Sequence, residues 1–214
     1  MNRLRSGITM SLDGYVAGPE QSVENPLGIG GMRLHEWAFA LAAWREQHGL
    51  EGGEENASSA FVEESLANVG AVLMGRNMFG GGSGPWGDEP WPGWWGENPP
   101  FHVPVFVLTH HARNPLPLEG GTTFTFVTDG IEAALAQARE AAGGKDVVIG
   151  GGAEAIRQYL AAGLVDELSI SLVPVLLGGG ERLLDGLGDA AIALEQVDAI
   201  AAPGVTHLRY RIVR

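Results

Sequence analysis

The stretch Asp146-Val147-Val148-Ile149-Gly150-Gly151-Gly152-Ala153-Glu154-Ala155-Ile156 predicts a strand, a glycine turn and a helix in direct succession. Glycines at such a turn let the backbone approach a ligand closely. The N-terminus of the helix that follows presents unpaired N–H groups and the positive end of its dipole at the same point. The arrangement is typical of an anion site, most often for a phosphate or pyrophosphate, and a tight structural turn is the alternative.

A second strand end carries related chemistry. The segment Val72-Leu73-Met74-Gly75-Arg76-Asn77 predicts a strand that ends in glycine and is followed by a cation. The planar guanidinium of Arg76 suits phosphate oxygens, although an isolated arginine is more often a surface residue. Two strand ends of this kind favour one dinucleotide that lies across a sheet.

Composition excludes several classes of protein. The chain has 214 residues, 45% of them apolar, and no cysteine, so disulfides, thiolate metal sites and cysteine nucleophiles are ruled out. The formal net charge of −13 argues against nucleic-acid or anionic-membrane partners, and a phosphate ligand therefore needs a local cationic pocket. No apolar run approaches the roughly 18 residues of a membrane span, and the basic N-terminus is not followed by a signal-peptide segment. We expect a cytoplasmic protein without membrane partners.

Strand and helix patterns alternate through the middle of the chain, and strand patterns dominate its end. This order predicts an α/β fold, with a central, mostly parallel mixed sheet flanked by helices and an antiparallel C-terminal edge. The predicted strands cover residues 5–10, 71–74, 103–109, 122–127, 147–149, 167–175, 191–198 and 206–213. The predicted helices cover residues 34–47, 58–68 with Ser58 or Ser59 as the cap, 129–142 and 153–162.

Six short motifs follow one another in an order and spacing that are specific as a set. They are Ser11-Leu12-Asp13-Gly14-Tyr15-Val16-Ala17, Met74-Gly75-Arg76-Asn77, Val107-Leu108-Thr109-His110-His111, Ile149-Gly150-Gly151-Gly152, Leu164-Val165-Asp166-Glu167-Leu168 and Val173-Pro174-Val175-Leu176-Leu177-Gly178-Gly179-Gly180. On these motifs the chain resembles the dihydrofolate reductase-like superfamily, and within it the bacterial branch related to the C-terminal reductase domain of riboflavin biosynthesis. The resemblance implies a single dihydrofolate reductase-like domain over residues 1–214, with a Trp/Gly/Pro-rich insertion at about 80–100.

The resemblance also implies an NADPH cofactor across the carboxyl ends of the central strands. Arg76 and Asn77 would face the adenosine 2′-phosphate, and Thr109 and His110 would bind the same end of the cofactor. Gly150–Gly152 would approach the pyrophosphate, with a cis peptide expected at Gly150–Gly151. The full cofactor set is Ala17 and Gly18 in a mobile loop over the nicotinamide, Gly75, Arg76, Asn77, Thr109, His110, Ile149, Gly150, Gly151, Gly152, and Ala153 and Glu154 at the helix start. NADH and a flavin-type cofactor remain alternatives.

The substrate side rests on three residues. Asp13 is the candidate catalytic residue, either in contact with the substrate or, equally, as the cap of an Asp-Gly turn. Tyr15 and Trp37 are the candidate substrate-binding residues. The riboflavin-pathway reductases typically have lysine where this chain has Tyr15, which argues against their phosphorylated substrate. Glu36 lies on the helix that carries the folate enzymes' carboxylate, but its surroundings do not match theirs.

Other conspicuous residues have plainer interpretations. His110 and His111 point to opposite sides of an extended segment and have no further ligand at suitable spacing, so no metal site is expected. The tryptophans of the insertion either pack beneath their loop or form an aromatic wall or lid over a planar substrate. Trp37 and Trp44 lie seven residues apart on one helix face and are expected in the core. The Gly178–Gly180 run is expected to be a structural loop.

Together these features predict an NADPH-dependent oxidoreductase of the dihydrofolate reductase or 5-amino-6-(5-phosphoribosylamino)uracil reductase type. It would transfer a hydride to a small, planar heterocyclic or carbonyl substrate. A nucleotide-binding protein of the same fold with little or no turnover is the alternative, and a non-enzymatic interaction protein is a third. The resemblance also implies a homodimer.

Overall fold

A computed structural model describes residues 2–88, 91–188 and 191–213. Its chain divides into two compact units. The first unit holds residues 2–6 and 68–166, and the second holds residues 7–67 and 167–213. The single-domain organisation over residues 1–214 stays a prediction. Among the described residues, no helix is long and apolar enough to cross a membrane.

The first unit is built on parallel strands. The start of β1 (Leu4–Ser11) pairs with β7 (Asp146–Gly151), β7 pairs with β3 (Val69–Gly75), β3 with β4 (Pro104–Leu108), and β4 with β6 (Thr123–Val127), all parallel. A two-residue strand β5 (Leu116–Pro117) closes the edge antiparallel to β6. The helices of this unit are α4 (Arg76–Phe79), α5 (Gly130–Ala141), α6 (Ala153–Ala161) and a 3-10 turn at Glu119–Gly121.

The central strands of this unit are covered on both faces. All five residues between the ends of β3 are buried, as expected for parallel strands packed between helices. The core around β3, β4 and β6 is aromatic-rich, with Phe79, Phe124 and Phe126 in edge-to-face contact. Helix α5 packs on β3 and β4, and α6 packs on β7.

The second unit is antiparallel. Strand β11 (Val205–Val213) pairs on one side with β8 (Glu167–Val173) and on the other with β10 (Ala193–Ala202). A smaller pair joins β2 (Tyr15–Ala17) to β9 (Glu181–Arg182). The helical segments are a 3-10 turn at Gly31–Leu34, α1 (Glu36–Phe39), α2 (Ala42–Gln47) and α3 (Ala57–Leu66). The predicted fold class is confirmed: mostly parallel strands with flanking helices, and antiparallel strands from the C-terminal part of the chain.

The single helix predicted over residues 34–47 is wrong. Over these residues the chain forms the end of a 3-10 turn and two short helices, α1 and α2, and the extended Leu41 (φ −71°, ψ 139°) separates α1 from α2. There Ala42 N donates to the Glu54 carbonyl (3.0 Å) and Glu54 N donates to the Ala40 carbonyl (2.7 Å). These non-local bonds satisfy backbone groups that a continuous helix would pair within itself. Trp37 and Trp44 therefore lie on different segments.

The cap predicted at Ser58 or Ser59 is also wrong, by two or three residues. Asn56 caps α3, since its side-chain oxygen accepts from Ser58 N (2.9 Å) while Ser59 Oγ accepts from Asn56 N (3.2 Å). This reciprocal capping box uses a serine in the place more often taken by a glutamate.

Candidate active site

Three neighbouring strands of the first unit end side by side. Met74 of β3 is in register with Gly151 of β7, and Gly75 is in register with Leu108 of β4. Because the three strands are parallel, their carboxyl ends bring the glycine turn, Arg76 and Thr109 to one edge. Most of the residues predicted to bind a cofactor are thereby brought together, although their roles remain predictions.

The glycine turn leads into a helix whose N-terminus has no side-chain cap. The N-cap residue of α6 is Gly152, which has no side chain to accept a hydrogen bond from the first turn. A β-carbon built on Gly75 would stand 3.7 Å from Gly152 N, whereas one built on Gly152 would meet no atom within 4 Å. The space beside Gly152 and the first-turn N–H groups of α6, which have no partner within the helix, therefore fit an anionic group. A cis peptide is present at Gly151–Gly152, one bond later than expected.

The remaining residues of the turn are positioned by packing. Ile149 and Ala153 are buried, and Gly150 is half-buried. Glu154 is exposed on the first turn of α6, where its carboxylate pairs with Arg157 (2.7 Å) and accepts from Gln158 (3.0 Å). These hydrogen bonds lower the pKa of Glu154, and the bond from Arg157 has the largest effect.

Arg76 is held by the segment that follows it. Its Nε donates to the Gly82 carbonyl (2.7 Å) and its Nη2 donates to the Gly81 carbonyl (3.1 Å). The guanidinium carbon lies 3.0 Å from the ring centroid of Trp86. The third nitrogen, Nη1, is buried and has no hydrogen-bond partner among the described residues, and the residue as a whole is 9% exposed. Burial, and secondarily the charge of Arg113, lowers the pKa of Arg76 to about 10, so the guanidinium stays charged at neutral pH.

Sequence reasoning missed a second cation at this edge. Arg113 donates from Nη1 to the Trp91 carbonyl (2.6 Å), and its guanidinium carbon lies 4.8 Å from the ring centroids of Trp86 and Phe126. The sequence signal was weak, since Arg113 stands in a loop without a motif. Only the fold brings it to Trp86, the aromatic residue that also contacts Arg76.

The remaining predicted cofactor residues lie at the ends of β3 and β4. Thr109 is buried, and its hydroxyl accepts from His111 N (3.2 Å). His110 and Asn77 are exposed. Among the described residues, no three His, Asp or Glu side chains come together in a group that could hold a metal ion.

The tryptophans of the insertion pack against the core of the first unit. Trp86, Trp91 and Trp95 contact the buried cluster around Phe79 and Phe124. Trp91 also donates from Nε1 to the Phe79 carbonyl (3.0 Å). The described structure therefore matches the packing alternative, and the lid stays a prediction.

Asp13 lies in the second unit and fastens two loops together. Its carboxylate accepts from Ser11 Oγ (2.6 Å), Gly178 N (2.7 Å) and Leu177 N (3.2 Å). These hydrogen bonds lower the pKa of Asp13 to about 2, and the bond from Ser11 has the largest effect. The carboxylate is therefore ionised at neutral pH and is poorly suited to donate a proton, and it holds the Gly178–Gly180 loop in place.

Tyr15 is half-buried on β2, opposite Arg182 of β9. The Arg182 guanidinium carbon lies 5.0 Å from the Tyr15 ring centroid, and Nη1 is 3.5 Å from the Tyr15 hydroxyl. Arg182 also pairs with Asp185 (3.2 Å). A cation is thus present beside Tyr15.

Ala17 and Gly18 are buried in the second unit. Gly18 N donates to the Leu27 carbonyl (2.8 Å), and the Ile29 carbonyl oxygen leaves no room for a β-carbon on Gly18. Trp37 is half-buried, and its ring meets His207 edge-on at 4.9 Å between centroids. Its Nε1 is buried and has no hydrogen-bond partner among the described residues. The expected roles of these residues stay predictions.

Comparison with known proteins shows the family to which the chain belongs. The model of the RibD C-terminal domain family matches residues 3–208, and the chain therefore belongs to that family. No curated protein matches it.

Solved structures share its fold. A chain from Shewanella sp. PV-4 assigned provisionally to riboflavin biosynthesis is 22% identical with a TM-score of 0.63, covering 99% of both chains. Dihydrofolate reductase from Enterococcus faecalis, in complex with NADP(H) and RAB-propyl, is 16% identical with a TM-score of 0.58, covering 99% of this chain and 97% of that one. RibD from Acinetobacter baumannii is 17% identical with a TM-score of 0.60, covering 100% of this chain and 59% of that one. The predicted resemblance is confirmed, and the fold is of the reductase type.

Proposed function

We propose that the protein is an NADPH-dependent reductase that transfers a hydride to a small planar heterocyclic or carbonyl substrate. One observation carries the proposal: the adjacent ends of β7, β3 and β4 gather a helix N-terminus without a side-chain cap, the open space at Gly152, and Arg76 Nη1, which has no hydrogen-bond partner in the described part of the chain. Membership of the RibD C-terminal domain family supports it.

The residues of the first unit fit the two anionic parts of this cofactor. Gly151, Gly152 and the N–H groups at the start of α6 would hold the pyrophosphate, since an uncapped helix N-terminus stabilises negative charge. Arg76 would pair through Nη1 with the 2′-phosphate, which NADH lacks. When bound, the cofactor supplies the hydride.

We assign substrate binding to the second unit. Asp13 would act as an ionised binding group, because its low pKa keeps it charged, and a water molecule can supply the proton that accompanies the hydride. Tyr15 and Trp37 would contact the substrate through their rings, which suits a planar molecule. The specific reductase type, the homodimer and a cytoplasmic location belong to the same proposal.

The test is a titration with NADPH and with NADH, followed by intrinsic tryptophan fluorescence, on the wild type and on Arg76→Ala. The wild type should bind NADPH more tightly. The variant should lose most of that preference, because a charge-assisted contact contributes about 1.5–3 kcal/mol, or roughly 10- to 150-fold in affinity.

Two controls distinguish the loss of the phosphate contact from other effects of the substitution. NADH affinity reports whether Arg76→Ala has damaged the glycine turn, since NADH shares every other group. Lys145→Ala removes an exposed cation at the opposite end of β7 from Gly151 and should keep the NADPH preference. Failure of the wild type to bind either nucleotide would overturn the proposal. Binding without turnover of pterins, pyrimidines or carbonyls would favour the non-catalytic nucleotide-binding alternative.

A further inference from the structure

A methionine packs against the glycine turn of the first unit. Met78 belongs to α4, the short helix that begins after β3. A β-carbon built on Gly151 would stand 2.8 Å from Met78 Sδ, and one built on Gly150 would stand 3.9 Å from Met78 Cε. The thioether therefore fills the volume that a side chain at Gly151 would take. Gly152, where a β-carbon would meet no atom within 4 Å, is left as the open end of the turn.

The helix that carries Met78 is anchored in the core. The next residue, Phe79, is fully buried and meets Phe124 and Phe126 edge-on, at 5.1 and 5.2 Å between ring centroids. Close-packed interiors transmit strain rather than absorb it. A change in the size of the Met78 side chain should therefore reach the glycine turn instead of being taken up by a shift of α4.

Thioethers are the oxidisable sulfur groups of this chain. The sequence has five methionines and no cysteine, so sulfur oxidation falls on methionine alone. Met74 is fully buried and Met32 is 53% exposed, whereas Met10 and Met78 are half-buried. Met78 is therefore in contact with the turn and, unlike Met74, is not sealed from solvent.

We propose that Met78 is a redox modification site, at which peroxide oxidation of the thioether displaces the glycine turn and weakens binding of an anionic ligand at Gly152. The inference rests on the proposed function in taking this ligand to be the cofactor. A methionine sulfoxide is polar and chiral, and it is larger than the thioether by one oxygen. That oxygen has no room on the Gly151 side of Sδ, and its partial negative charge would stand near a site suited to an anion.

The oxidation needs only hydrogen peroxide. A lone pair of Sδ attacks one peroxide oxygen, an S–O bond forms and the O–O bond breaks. The proton on the transferred oxygen passes to the departing hydroxide, which becomes water. Sulfur loses two electrons, and the peroxide gains two. Methionine sulfoxide reductases reverse the change at the expense of a thiol reductant.

The test follows a time course in dilute hydrogen peroxide and measures the sulfoxide fraction at each methionine by peptide mass spectrometry. Calorimetry gives affinities for NADPH and for inorganic pyrophosphate before and after treatment. Wild-type affinity for both ligands should fall about 5-fold or more as Met78 is converted, because overpacking a filled position is costly. Treatment with methionine sulfoxide reductases A and B should restore both affinities, which separates thioether oxidation from other peroxide damage.

Two variants assign the effect to Met78, and each is compared with its own untreated sample. Met78→Leu has a side chain of similar volume without sulfur, so peroxide should change its affinities by less than about twofold. Met32→Leu removes the more exposed thioether, and treatment should weaken its binding as much as that of the wild type.

Amide resonances give a readout that needs no ligand. In the isotopically labelled wild type, the backbone amide cross-peaks of Gly150, Gly151 and Gly152 should shift as Met78 is oxidised and return after enzymatic reduction. The same cross-peaks in Met78→Leu should stay in place under peroxide.

The outcomes separate this inference from the proposed function. An intact Met78 thioether under conditions that convert Met32 completely would overturn the modification site. Conversion of Met78 without movement of the glycine resonances, or equal losses of affinity in treated wild type and treated Met78→Leu, would overturn its coupling to the turn. If the untreated wild type binds neither NADPH nor pyrophosphate, the cofactor assignment fails, and the glycine resonances still decide whether Met78 oxidation displaces the turn.

Discussion

The unfolding free energy of this protein should depend on pH through one buried histidine of the second unit. His207 is 1% exposed and lies between two serines: Ser58 Oγ is 2.9 Å from Nε2 and Ser171 Oγ is 2.9 Å from Nδ1. The ring also stacks on Phe61, at 4.0 Å between centroids. The site favours the neutral ring, and burial lowers the pKa of His207 from 6.5 to about 4.

The magnitude follows from proton linkage. Between about pH 4 and 6.5 the unfolded chain binds a proton at this position and the folded chain does not, so stability falls as the pH is lowered through that window. Each pKa unit corresponds to about 1.4 kcal/mol. The shift therefore predicts a loss of about 2–3 kcal/mol between pH 6.5 and 4, allowing for partial screening by solvent.

The assay is urea unfolding across pH 4 to 7.5 for the wild type and His207→Gln. The amide of glutamine does not titrate, so the difference between the two unfolding free energies isolates the histidine. That difference should change by about 2–3 kcal/mol across the window in the direction of greater wild-type loss at low pH. A parallel series on His48→Gln corrects for the removal of an exposed imidazole. Parallel curves for the wild type and His207→Gln would refute the reasoning.

Two further predictions concern hydrogen bonds within the second unit and within the first unit, respectively. Asp13→Asn leaves an amide that offers one acceptor oxygen where the carboxylate offers two, so the amide protons of Leu177 and Gly178 should exchange faster by hydrogen-exchange NMR; unchanged protection would contradict the contacts at 3.2 and 2.7 Å. Tyr159→Phe removes the buried hydroxyl that donates to the Ile131 carbonyl (2.9 Å) and should lower the unfolding free energy by about 1 kcal/mol in urea denaturation. A variant as stable as the wild type would show that this hydroxyl contributes nothing net.

Local patterns in the sequence were enough for the strand, the glycine turn and the helix over residues 146–161. Strand periodicity, glycine conformational freedom and helix initiation depend on near neighbours, and β7 and α6 form where these signals predict them. The strand predicted over residues 206–213 likewise corresponds to β11, whereas β10 begins two residues later and ends four residues later than the strand predicted over residues 191–198. Where distant residues compete for the backbone, the prediction failed. Leu41 is extended because Glu54 bonds to its neighbours, so the helix predicted over residues 34–47 is broken.

By itself, the sequence therefore determined the fold class, the family resemblance and the positions of the glycine turn and Arg76. Only the tertiary structure decided what these residues meet. The carboxylate of Asp13 is bound by a loop 165 residues away, and Arg76 is joined by Arg113 through Trp86. The physical reason is that a side chain's partners depend on which strand ends are adjacent and which loops fold over them. These contacts join residues that are far apart in the sequence, and no pattern within a short window of sequence encodes them.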